Sequence, residues 1–248
     1  MKRILATSAL ALSIAAAPLA AFDLSSMSDE ERAAFRAEVR AYLLDNPQVI
    51  MEAVAVLEER QAAAQAAGDV ALVSSHADQI FNDGFSWVGG NPEGDITLVE
   101  FVDYRCGYCR KAHDEVAELV KSDGNIKLIV KEFPILGEAS VASSRFAIAM
   151  KQLHGAEAYK QAHDALITMR KDPSDATLSK LATSLGFDGD AVIARMESEE
   201  VNAELAATQQ LARALQISGT PTFVMKDELL RGYLPLENMR ALVADKRG

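Results

Sequence analysis

The sequence predicts a mixed α/β fold with a long helical insertion, preceded by an N-terminal helical arm. Three observations predict it. From residue 95 onward the chain reads strand, helix, strand, long helical stretch, strand, strand, helix. Both cysteines, Cys106 and Cys109, fall where the first of those strands passes into the first helix. Residues 28–80, in contrast, carry helical periodicity and no strand pattern.

The chain opens MKRILATSALALSIAAAPLAAFDL. Lys2 and Arg3 precede an apolar run and then small residues, the three regions of a secretory signal over residues 1–21. That run is short for a bilayer span, and no later segment reaches about 18 apolar residues. The expected product is exported and soluble, with the periplasm as its destination. Net charge is −11, and loss of Lys2 and Arg3 makes the remainder more acidic still. Such a surface repels phosphate backbones, which excludes nucleic acid as a partner. Only two cysteines enter an oxidising compartment. A bridge across so short a loop removes little chain entropy, so a structural disulfide explains the pair poorly.

Residues 22–80 form the arm. Ser28 and Glu31 make an S-x-x-E capping box ahead of Phe35, Val39, Tyr42 and Leu43 at helical spacing. Asn46-Pro47 ends that helix and opens another, with Asn46 placed to cap it. Ile50, Val54 and Leu57 form a narrow apolar stripe, and Gly68 offers a break. The stripe suits packing on the chain's own domain or self-association of copies. Gly, Asn, Asp and Pro cluster over residues 81–94, and the second domain is expected over 81–248.

In DITLVEFVDY, Ile96, Leu98, Glu100 and Val102 point to one face and Thr97, Val99, Phe101 and Asp103 to the other. A helix follows from Cys106, and NIKLIVKEFPI gives a second strand. Residues 136–216 read as the helical insertion. Thr222–Met225 and Leu229–Tyr233 form a hairpin through Lys226-Asp227-Glu228, and a last helix runs from about Pro235 to Asp245.

A C-x-x-C between strand and helix in this layout reads as a thioredoxin-like redox motif. A helix N-terminus lowers a thiol pKa, so Cys106 is the expected nucleophile. Cys109, one turn on, is placed to resolve a mixed disulfide. If the Glu100 face is core, burial raises its pKa and suits it to relay the Cys109 proton. An edge strand would instead leave Glu100 in solvent. Lys131, at the end of the second strand, is a candidate partner for Glu100 or an ordinary surface lysine. Thr220-Pro221 precedes a strand, where a cis X-Pro bond would expose an edge for substrate main chain.

Together, LVEFVDYRCGYC, VKEFPILG and ISGTPTFV, in that order, resemble the DsbA family of exported thiol–disulfide oxidoreductases in the thioredoxin superfamily. The resemblance implies a thioredoxin-like fold with an inserted helical domain. It maps the nucleophilic cysteine to Cys106, the resolving cysteine to Cys109, the buried acid to Glu100, its lysine partner to Lys131 and the cis-proline to Pro221. It also places Thr220, Gly107 and Tyr108 in the substrate-binding surface. No cofactor is implied. The implied partners are secreted proteins with cysteines and a membrane redox protein. The run VRAYLLDNPQVIMEAVAVLEER resembles the N-terminal extension of the ScsC (suppressor of copper sensitivity) branch, which implies homo-oligomerisation through the arm. Gly107-Tyr108 and the threonine before Pro221 resemble disulfide isomerases more than strong oxidases, so isomerase or reductase is the expected activity, with dithiol oxidase as the alternative.

Two further readings compete. Cys106, Cys109 and His113 have C-x2-C-x3-H spacing, but His76, His154 and His163 stand apart in sequence and supply no fourth zinc ligand. No metal site is therefore expected, His113 reads as a surface helix residue, and Cu(I) on the reduced dithiol remains the one metal alternative. A client-binding module without thiol chemistry is the other.

Overall fold

The computed structural model describes residues 26–248. The signal expected over 1–21 lies outside the described residues. The chain forms two compact units that divide between Glu59 and Arg60.

In the first unit, α1 (Asp29–Asp45) opens on the expected capping box. Glu31 Oε2 accepts from the Ser28 backbone at 2.8 Å, and Ser28 Oγ accepts from the Glu31 backbone at 3.3 Å. Asp29, Glu30 and Glu31 in the first turn suit the helix dipole. Asn46 does not cap the next helix as expected. Its side-chain amide donates back to Tyr42 O at 3.0 Å and closes α1 instead. Immediately after Pro47, α2 (Gln48–Ser75) begins, and it continues through Gly68 without a break. No residue of α1 is buried, and Phe35, Val39, Tyr42 and Ile50 are exposed.

The second unit starts inside α2, not at residue 81. Val73 of α2 and Ile80 of α3 (Ala77–Phe81) are buried in its core, which draws these helices into the domain. The remaining elements are β1 (Trp87–Gly90), β2 (Ile96–Val102), α4 (Gly107–Asp123), β3 (Ile126–Glu132), α5 (Glu138–Thr168), α6 (Asp175–Ser184), α7 (Gly189–Met196), α8 (Glu199–Ala214), β4 (Thr222–Met225), β5 (Glu228–Arg231) and α9 (Leu236–Arg247). Helices α5 to α8 are the expected insertion. Non-helical Gly155 (φ 86°) kinks α5.

Strand β1 was not expected, because Gly89-Gly90 reads as a turn. Gly89 is needed there: a Cβ would lie 2.0 Å from the Trp87 ring. The sheet order is β1-β3-β2-β4-β5. Strands β2 and β3 are parallel, as their connection through α4 requires, and the other pairs are antiparallel.

Both faces of the sheet are covered. Ile96, Leu98, Val102, Val130 and Phe223 pack in one core layer with residues of α4, α5 and α9. Val99, Phe101, Ile129 and Val224 pack in the other with Val73, Ile80 and Leu211. This explains why β2 is apolar at nearly every position instead of alternating. Among the described residues no helix is long and apolar enough to cross a membrane.

Candidate active site

The corner between β2 and α4 is fixed by Asp103, which is fully buried. Asp103 Oδ1 accepts from the Arg105 backbone at 2.8 Å and from Ser140 Oγ at 2.7 Å. Oδ2 accepts from the backbone N–H groups of Ile135 and Leu136 at 2.8 and 3.0 Å. One carboxylate thus ties the corner to the segment after β3 and to the first turn of α5. Arg110 adds a second clamp, donating to Tyr104 O at 3.0 Å and to Met169 O at 3.1 Å.

Cys106 is the N-cap of α4, in extended conformation (φ −73°, ψ 123°). Its Sγ lies 3.1 Å from the carbonyl oxygen of Thr220. The Thr220-Pro221 peptide is cis, and its Thr220 carbonyl is the group that meets Cys106. Gly107 and Tyr108 are exposed beside them. The Tyr108 ring stacks on Tyr233 (centroids 6.1 Å apart), and Lys111 Nζ lies 4.2 Å over the Tyr233 ring. A Cβ on Gly107 would meet only open space, so this edge faces solvent.

Both cysteines carry free thiols, and Cys109 is completely buried. The Cys109 thiol hydrogen-bonds the Cys106 sulfur, and this is the main cause holding Cys106 down at about 5. Burial opposes that shift. The Thr220 side chain and the backbone N–H groups of Cys109 and Tyr108 reinforce it. As a thiol, Cys106 donates to the Thr220 carbonyl; as a thiolate, it accepts from these donors. Cys109 moves the opposite way. Its bond to Cys106, then burial, then the nearby Glu100 push it far above the ordinary thiol value. One sulfur is therefore ionised at neutral pH and the other keeps its proton.

Glu100 is 3% exposed and lies on the Cys109 side of the sheet. Burial, then the charge of Glu132, pushes its carboxyl up to about 8. It lines a cavity of about 280 Å³ together with Trp87, His113, Leu128, Val130 and His163. Glu132 ends β3 and is itself pushed up to about 7 by burial, although the hydroxyls of Tyr104 and Tyr159 both donate to its Oε1 at 2.6 Å. The sequence reading assigned Glu132 no role, yet it stands inside VKEFPILG with its neighbour Lys131.

Lys131 does not pair with Glu100. In the parallel register Glu100 faces Val130, and Lys131 points to the opposite face of the sheet. There its Nζ donates to Asp83 Oδ2 at 2.5 Å, Gln79 O at 3.0 Å and Ser86 Oγ at 3.2 Å. Burial lowers the Lys131 pKa, while Asp83 opposes the shift and is held below the usual carboxylate range by the same contact. Alternation along a strand separates the two charges by a full sheet thickness. Nor is His113 a surface residue, as expected from sequence. It turns inward toward His163 and Asp164 of α5.

The thiolate predicts a pH signature. Alkylation of Cys106 by iodoacetamide should follow a single ionisation with midpoint near 5, and Cys109 should stay unreactive at neutral pH. Because folding lowers the Cys106 pKa from 9.0, its contribution to the stability of the reduced protein is complete above the unfolded value. That contribution is lost as pH falls through about 5. An alkylation midpoint near the ordinary thiol value would contradict the geometry.

Comparison with known proteins follows the same lines. A thioredoxin-like oxidoreductase from Silicibacter pomeroyi DSS-3 is 40% identical, with 68% of this chain and 96% of that chain covered and a TM-score of 0.63. The thiol-disulfide exchange protein alpha-DsbA2 from Wolbachia pipientis is 28% identical, covering 74% and 98% of the two chains, with a TM-score of 0.68. A curated relative, the Na(+)/H(+) antiporter NhaA 3 of Salinispora tropica, is 26% identical over 159 residues, and the match spans 63% of this chain but 24% of that protein. Residues 31–64 match the copper resistance protein ScsC N-terminal domain. Residues 97–244 match the DSBA-like thioredoxin domain, and the chain belongs to that family.

Proposed function

We propose that the protein is a periplasmic thiol–disulfide oxidoreductase that shuffles disulfides in other exported proteins. The observation that carries this reading is the placement of the two sulfurs: Cys106 caps α4 against the Thr220 carbonyl beside the exposed Gly107 and Tyr108, and Cys109 is completely buried one turn on. The Cys106 thiolate attacks a substrate disulfide, forms a mixed disulfide and expels one substrate thiolate. That thiolate, or another in the same client, then attacks the mixed disulfide, and Cys106 is released as thiolate with the substrate bonds rearranged. When rearrangement stalls, Cys109 gives up its proton and attacks Cys106 Sγ. The Cys106–Cys109 disulfide forms and the client leaves reduced. Glu100, beside Cys109 and with a pKa of about 8, takes and returns that proton across the cavity it lines. Lys131 has no part in the relay. Substrate main chain docks along Thr220-Pro221, with Gly107 and Tyr108 at its margin.

A dithiol oxidase is the second reading. A Cys106 pKa of about 5 stabilises the reduced form, which makes the disulfide form a ready oxidant. The membrane redox partner would then reoxidise the pair instead of reducing it. The two readings separate in one assay. The reduced protein should restore activity to scrambled, fully oxidised ribonuclease, and Cys106→Ser should abolish that recovery. No recovery, with fast oxidation of a reduced peptide by the disulfide form, assigns the oxidase. If client protection survives Cys106→Ser while neither reaction occurs, the protein is a binding module.

The arm supports assembly of several copies. Helix α1 buries nothing, and a groove of about 450 Å³ lined by Phe35, Val39, Leu43, Leu44 and Ile50 stays open within the first unit. The ScsC N-terminal domain match falls on the same residues. Shared cavities between active sites suit shuffling of bulky misfolded clients. Val39→Asp together with Ile50→Asp should reduce the mass measured by light scattering to that of one chain and leave Cys106 alkylation unchanged. A wild-type mass of one chain would exclude assembly.

A further inference from the structure

The cavity behind Glu100 holds donors that the dithiol chemistry does not use. His113 lies one turn past Cys109 on the inner side of α4, and His163 and Asp164 project from α5. The two imidazole centroids are 5.2 Å apart, and His113 Nε2 is 3.3 Å from Asp164 Oδ1. One donor atom from each of the three side chains lies within 4.8 Å of the other two. We propose that His113, His163 and Asp164 form a binding site for one divalent first-row transition ion, with zinc as the representative.

The donor set is two imidazoles and a carboxylate, the kind that zinc and its neighbours favour over magnesium or calcium. Three protein ligands leave a coordination position open. Both histidines line the cavity, so that position has room for water. Two of the three donors are also held from behind. Tyr104 donates its hydroxyl proton to Glu132, so its oxygen accepts from His163 Nδ1–H at 3.0 Å. This fixes the tautomer and leaves Nε2 with a free lone pair. Asp164 Oδ2 is occupied by Lys160 at 2.5 Å, whereas Asp164 Oδ1 is turned toward His113 Nε2 at 3.3 Å. Glu100 is nine-tenths buried and lines the same cavity.

Lys160 and Lys121 also line the cavity and oppose a cation. The pairing of Lys160 with Asp164 offsets part of that charge, and binding relies mainly on the two imidazoles. The site is separate from the dithiol and does not need reduced sulfur. Cu(I) or zinc held by Cys106 and Cys109 would require the thiols, whereas this site persists in the disulfide form. Sequence inspection missed it because its donors come from two helices far apart in the chain.

The test is calorimetric titration of the full chain, in its disulfide form, with zinc chloride. One ion per chain should bind, and His113→Asn and Asp164→Asn should each weaken binding by more than about 10-fold. Thermal unfolding of each variant without zinc checks that it folds. Cobalt(II) added to the wild-type disulfide form gives a readout independent of the variants, a visible ligand-field spectrum without sulfur charge transfer. No zinc uptake by the disulfide form would overturn the proposal. So would unchanged affinity in folded His113→Asn, or a six-coordinate aqua spectrum for cobalt.

Discussion

The four hydrogen bonds on Asp103 are the constraint on which the rest of the site depends. A buried carboxylate is costly unless its lone pairs are filled, and here backbone N–H groups from two segments and one serine hydroxyl fill them. The result is a rigid turn at the C-terminal end of β2. The turn delivers Cys106 to the N-cap of α4 and within 3.1 Å of Thr220 O. Moving that turn would detach the cysteine from the helix N–H groups that stabilise its thiolate. Asp103 thus acts on Cys106 by placing it, while its own backbone hydrogen-bonds the Cys109 sulfur.

The sheet divides the buried charges between two sides. Glu100 faces α4 and forms no ion pair among the described residues, so burial dominates and its carboxyl is raised. Lys131, one pairing position further along, faces α3 and finds Asp83. A salt bridge between the two would have held Glu100 ionised and far less able to exchange a proton near neutral pH. Their separation leaves Glu100 answering to Cys109, Glu132 and the cavity. The polar cluster of Tyr104, Glu132, Tyr159 and His163 completes that side of the core and links the β2–α4 corner to the inserted helices.

Much of this was legible in the sequence. The C-x-x-C between strand and helix pointed to the corner where Cys106 caps α4, and GTPTFV pointed to the cis peptide beside it. The alternation in ITLVEFV placed Glu100 among aliphatics. Pairing across the sheet was not legible. Lys131 looked available to Glu100 because strand order and register, which decide the face, are tertiary facts. Strand β1 was hidden by its glycines, of which Gly89 admits the Trp87 ring and Gly90 lies against the Ile126 carbonyl. The division at Arg60 was hidden as well, since α2 reads as one continuous helix whether or not its end is buried. Asp103 stood in plain view beside the cysteines, but only the folded chain shows which four donors it collects.

The most direct test of this account is the pH titration of the Cys106 thiolate, followed by ultraviolet absorbance, in Asp103→Asn beside the wild type and Asp83→Asn. The wild type should titrate near 5. Asp103→Asn should titrate clearly higher, because the amide cannot accept all four bonds and the corner loosens. Asp83→Asn, on the far side of the sheet, should match the wild type. If folded Asp103→Asn titrates with the wild type, the corner does not set the thiolate and the central claim is wrong.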